Sequence, residues 1–92
     1  MRFKLSKASC GTLESSDVYM ELEPADEGIE IVLQSVVEKQ FGDSIRALAA
    51  EMLSEAGIEN AKLNMIDKGA LECTLRARLE TLIARAKGGE DA

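Results

Sequence analysis

The chain of 92 residues has no histidine and no tryptophan, and it holds only one proline, one tyrosine, two phenylalanines and two cysteines. Without histidine, proton transfer near neutral pH lacks its usual residue, and neither a Ser–His couple nor a His-containing zinc set can be assembled. Cys10 and Cys73 are too few and too far apart for a disulfide framework, so both read as free thiols, Cys73 packed on a helix. No apolar run approaches the roughly 20 residues of a membrane helix, and Met1 to Ser6 lacks the apolar core of a secretory signal. The expectation is a soluble, cytoplasmic, single domain over residues 1–92, with 88–92 as a frayed tail. Few aromatics, no glycine-rich phosphate cradle and no metal-ligand cluster argue against a self-contained enzyme. Glu14 and Asp17 are two carboxylates that stand near serines, but a polar, exposed stretch would not raise a carboxyl pKa toward neutrality.

Charge is unbalanced. The net value of −6 argues against a nucleic-acid partner, which needs clustered Lys and Arg. From Glu14 to Glu30 the chain carries Glu14, Asp17, Glu21, Glu23, Asp26, Glu27 and Glu30 with no basic residue between them. One end of the molecule is expected to be strongly negative, as a solvated strand face or as a surface steered toward basic partners.

What is present alternates and repeats cleanly. Val18, Met20 and Leu22 share one face of a run whose other face holds Asp17, Tyr19, Glu21 and Glu23, the period of a half-buried strand. After the turn residues 24–28, Ile29, Ile31 and Leu33 alternate again, so the two runs are expected to pair as an antiparallel hairpin. Ser35-Val-Val-Glu38 has the form of a capping box, and Val37, Phe41, Ile45, Leu48, Ala49, Met52, Leu53 and Ala56 follow as one helical stripe ended by Gly57. Ala61, Leu63 and Met65 mark a third strand, and Leu71, Leu75, Leu79, Leu82, Ile83 and Ala86 a second helix. The predicted fold is α+β: about three strands in a small antiparallel or mixed sheet, two helices on one face, order β-β-α-β-α. Residues before Gly11 could add a short edge strand.

A serine that its own protein cannot deprotonate can still accept a group from another enzyme, provided it sits on a reachable segment. Two places qualify. Asp43-Ser44-Ile45 resembles the Asp-Ser-Leu phosphopantetheine site of ordinary acyl carrier proteins, but the stripe runs through it without a change of phase, which puts Ser44 in mid-helix; Gly42 beside it costs that helix about 1 kcal/mol. Glu14-Ser15-Ser16-Asp17 belongs to no periodic pattern and follows Gly11-Thr12, so it reads as a loop, either an acceptor segment or an ordinary polar turn before a strand.

"GTLESSDV", "VEKQFGDSIRALAAEML" and "DKGALECTLRARLETLIARA", in that order over about residues 10 to 87, closely resemble the acyl carrier protein (gamma subunit) family of citrate lyase. The resemblance implies that Ser15 carries a phosphoribosyl-dephospho-coenzyme A arm through a phosphodiester, with Ser16 in the place of a small residue and Asp17 in that of an acid. It further implies a non-catalytic carrier that moves acetyl and citryl thioesters between the alpha (transferase) and beta (lyase) subunits, with a separate enzyme attaching the arm. Neighbouring alternatives are the carriers of citramalate lyase and malonate decarboxylase, and, from another class, an interaction module with no covalent group. Arg76, Arg78, Arg85 and Lys87, with Lys68, are either a solvated basic face or contacts to the arm's phosphates or an acidic surface.

Overall fold

A computed structural model describes residues 4–88. The element order is β1 (Ala8–Gly11), β2 (Val18–Pro24), β3 (Ile29–Ser35), α1 (Glu38–Glu55), β4 (Ala61–Asp67) and α2 (Glu72–Ala86). The expected edge strand is present, giving a four-stranded sheet in the order β1-β2-β4-β3. Of the expected frayed tail, residues 89–92 lie outside the described part.

The expected hairpin of β2 with β3 does not form. β4 lies between them, antiparallel to β2 from Val18↔Asp67 to Pro24↔Ala61 and parallel to β3 from Ile29↔Ala61 to Ser35↔Asp67. The two strands keep the antiparallel sense the turn implies, one strand apart. Parallel pairing of β3 with β4 requires a long crossover, and α1 supplies it. Asn60 holds the connection in place, its Oδ1 accepting from the Gly28 N–H at 2.7 Å.

Alternation then sorts the sheet. Val18, Met20 and Leu22 of β2 face the same side as Ala61, Leu63 and Met65 of β4, and none of these six is more than 1% exposed. Both helices cover that side, α1 through Ile45, Ala49 and Leu53 and α2 through Leu75, Leu79, Leu82, Ile83 and Ala86. The stripe of α1 is narrower than its sequence suggests. Phe41 is 55% exposed, because it lines an open groove between α1 and the first turn of α2, with Leu71 opposite.

Two helix-end readings have different outcomes. Gly57, with φ +79°, stands one residue beyond the C-cap, and the bonds Gly57 N–H to Ser54 O and Ile58 N–H to Leu53 O complete a Schellman end. The capping box at Ser35 is absent. Helix α1 opens at Val37 without a side-chain cap; Ser35 Oγ accepts from the Val37 N–H at 3.0 Å and donates to Asp67 Oδ2 at 2.8 Å. Ser35 is the last residue of β3 and lies opposite the buried Asp67, so its hydroxyl serves that carboxylate. Glu38 turns the other way and pairs with Arg46 at 2.6 Å.

Both cysteines are free thiols, as expected, but Cys73 is not packed against the core. Cys73 is exposed on the solvent side of α2's first turn, whereas Cys10 is buried under α2 in β1. The acids also spread further than expected. Glu23 and Glu30 flank Lys62 across three strands of the uncovered sheet face, while Glu14 and Asp17 sit at the opposite end of β2 from Asp26 and Glu27.

Candidate functional site

Residues 12–17 connect β1 to β2, so the stretch holding the two serines is a hairpin loop tied at both ends. Gly11 makes its entry possible. Its φ is +96°, and a Cβ there would lie 1.8 Å from the Val18 carbonyl oxygen, a position no side chain can share. Thr12 N–H then donates to Val18 O at 3.2 Å, and the Asp17 N–H donates to Glu14 O at 3.1 Å, closing a turn with Ser15 and Ser16 at its two central positions.

The two serines differ within that turn. Both are exposed. Ser16 adopts φ +64°, the one non-glycine residue in the left-handed region among those described, and its N–H donates to Lys68 O at 2.8 Å. Its conformation and its amide are therefore committed to the loop's shape. Ser15 occupies the preceding corner with an ordinary φ, its hydroxyl reachable from solvent. Ser44 lies inside α1 as its sequence period indicates, so its backbone is locked in a helix.

Asp17 anchors the loop. Arg78 of α2 grips its carboxylate bidentately, Nε to Oδ1 at 3.0 Å and Nη2 to Oδ2 at 2.6 Å. The Thr12 hydroxyl donates to Oδ2 at 2.6 Å and the Val18 N–H to Oδ1 at 2.7 Å. These bonds, Arg78's foremost, hold the Asp17 carboxyl well below the usual carboxylate range, and the same contact raises Arg78 above its ordinary value. Asp17 is thus a permanent anion whose charge is already matched. It cannot serve as a proton donor or acceptor near neutrality.

A second loop completes the site. Lys68 O accepts from Ser16 and the Lys68 N–H donates to Asp17 O at 2.9 Å, so the segment after β4 runs beside the serine loop. The buried Asp67 shapes that segment, its Oδ1 accepting from the Ala70 N–H at 3.0 Å. The "GTLESSDV" and "DKGAL" blocks, remote in sequence, therefore touch. The other basic residues are spent elsewhere: Arg76 on Glu72 at 3.1 Å, Arg85 on the Ser9 carbonyl at 2.8 Å and Lys87 on the Ala56 carbonyl at 2.6 Å. Sequence reasoning named Arg78 without finding its partner 61 positions away. It missed the left-handed backbone at Gly11, although a glycine at the start of a loop is a signal of one.

Among the described residues no cluster of three or more His, Cys, Asp or Glu could hold a metal ion, and no helix is long and apolar enough to cross a membrane. The arrangement can present a hydroxyl; it has no group able to activate it.

Comparison with known proteins points the same way. A family model described as "Malonate decarboxylase delta subunit (MdcD)", of the ACP type, matches residues 5–86. The chain is 51% identical over 82 residues to citrate lyase acyl carrier protein 1 of Salmonella paratyphi A (strain ATCC 9150 / SARB42), covering 88% of this chain and 84% of that one. Among solved structures, a crystal structure of a Pseudomonas malonate decarboxylase hetero-tetramer in complex with malonate contains a chain that superposes with a TM-score of 0.74 at 25% identity, covering 92% of this chain and 88% of that one.

Proposed function

The chain belongs to the acyl carrier protein family described as the malonate decarboxylase delta subunit, and on that premise we propose that it is the acyl carrier subunit of a citrate lyase. Ser15 is the attachment point of a phosphoribosyl-dephospho-coenzyme A arm. When bound, the arm supplies a terminal thiol on which acetyl and citryl groups travel as thioesters while citrate is cleaved to acetate and oxaloacetate. The partners are the alpha subunit, which exchanges the acyl group, the beta subunit, which cleaves it, and the enzyme that attaches the arm. All of these operate in the cytoplasm.

The observation that carries the reading is the exposed corner at Ser15, between a left-handed Ser16 bonded to Lys68 and an Asp17 clamped by Arg78. The residues present suit a covalent ester. A primary hydroxyl on a protruding turn can enter a foreign active site, and the anchored flanks keep it there with little ordering cost. Ser16 is a poorer acceptor, because its backbone is already committed. No base is needed in this chain, as the attaching enzyme supplies one. Tethering then keeps the acyl group at an effective concentration of order millimolar near each partner site, which is what a small carrier contributes to a two-site reaction.

The malonate decarboxylase reading is the alternative that particular observations favour, namely the family description and the solved neighbour. Identity weighs against it, 51% to the citrate lyase carrier and 25% to the decarboxylase chain. Reconstitution separates the two. Purified carrier bearing the arm, mixed with citrate lyase alpha and beta subunits, should support citrate cleavage, and Ser15→Ala carrier should not. Activity only with malonate decarboxylase subunits would transfer the chain to that complex.

A further inference from the structure

The serine loop raises an electrostatic question. Esterification at Ser15 through phosphate places a new negative charge between Glu14 and Asp17, in a protein whose net charge is already −6. Arg78 neutralises Asp17, but its Nε and Nη2 are both used in doing so. Arg76, Arg85 and Lys87 are held by Glu72, Ser9 and Ala56, and none of those contacts adjoins the loop.

Lys68 is placed differently. Its backbone is bonded on both sides to the loop, through Ser16 N–H to Lys68 O at 2.8 Å and Lys68 N–H to Asp17 O at 2.9 Å. The residue is exposed, and its side chain has no hydrogen-bond or ion-pair partner among the described residues. A lysine stem spans about 6 Å, so an ammonium anchored one residue from Ser15 can meet a phosphoryl oxygen on that serine. We propose that Lys68 is the binding cation for a phosphoryl ester on Ser15, with the Arg78–Asp17 pair cancelling the charge that would otherwise repel it. The inference rests on the carrier reading for the identity of the ester, but not for the presence of the cation.

A phosphate monoester installed on Ser15 probes the site without the arm or the lyase. Its second ionisation, ordinarily about 6, responds to the charges around it: Glu14 and Asp17 in its own loop, Lys68 after β4, and Arg78 on α2. Phosphorus NMR titration should find the midpoint in the parent about half a unit below that in Lys68→Gln, with the gap shrinking at high salt. Lys68→Arg should restore the low midpoint. Lys7→Gln, whose site precedes the Ala8↔Leu22 pair at the far end of the hairpin, should leave it unchanged. Because Lys68 joins the loop through backbone groups, Lys68→Gln keeps those bonds. Equal midpoints in the parent and Lys68→Gln overturn the proposal, as does an equal shift in Lys7→Gln. Failure of the carrier reading shows separately, as absence of the arm from Ser15 by mass spectrometry.

Discussion

Asp17 decides how the loop behaves, because four donors converge on its two oxygens and two of them come from an arginine on another element. Asp17→Asn removes the charge and half of that acceptor capacity. The expected outcome is a loop that opens, read as faster exchange of the Ser16 and Lys68 amide hydrogens and a lower melting temperature at neutral pH. The pH dependence has a definite sign. A carboxyl held below its ordinary value of 3.8 contributes stability that is fully present above that value and is lost as pH falls beneath it. Urea titrations of parent and Asp17→Asn should therefore differ most above about pH 4 and converge below it. Gly11→Ala is a second test at this scale. The left-handed backbone alone costs about 1–2 kcal/mol for a residue with a Cβ, and contact with the Val18 carbonyl adds to it, so the loss should exceed that range in chemical denaturation. The loop holding Ser15 and Asp17 is legible in sequence because its block is local and aperiodic. Arg78 is legible only as a charge, since no local period relates it to Asp17.

Helix α1 shows how one element reconciles two demands. Gly42 reads in sequence as a weak point, yet the Glu38–Arg46 pair crosses the helix over it, and a Cβ there would lie 2.9 Å from Glu38 Cγ. Both partners of that pair are substantially exposed, so the pair contributes at most about 1 kcal/mol. Replacing glycine by alanine in a helix interior recovers about 1 kcal/mol. Gly42→Ala should accordingly leave stability unchanged or raise it by up to about 1 kcal/mol, measured by urea unfolding. Strand and helix positions were readable from period, as the buried alternation of β2 and β4 confirms. Their neighbours were not. A short turn between β2 and β3 favours a hairpin locally, and only the insertion of β4, which pairs along both edges while its apolar face is buried beneath the helices, overrides it. Ser35 failed as a cap for the same reason: its partner Asp67 is brought beside it by the sheet.

Across the whole molecule, the connections at 12–17, 36–37 and 68–71 gather at one end of the sheet, through Ser16 to Lys68 and Val36 N–H to Asp67 O. That end holds the exposed serine, its neutralised acid and Lys68. The opposite end holds Asp26 and Glu27 and no residue assigned a role. The lack of histidine fits the proposed division of labour, in which this chain presents a hydroxyl and its partners do the chemistry. The central claim is that Ser15 is that hydroxyl. The most direct measurement is fragmentation mass spectrometry of the protein isolated from its native cells grown on citrate, together with Ser15→Ala, Ser16→Ala and Ser44→Ala forms. The account predicts one added mass, that of the phosphoribosyl-dephospho-coenzyme A arm, located on Ser15, retained in Ser16→Ala and Ser44→Ala and lost in Ser15→Ala. An unmodified chain under those conditions, or an arm that persists in Ser15→Ala, would contradict it.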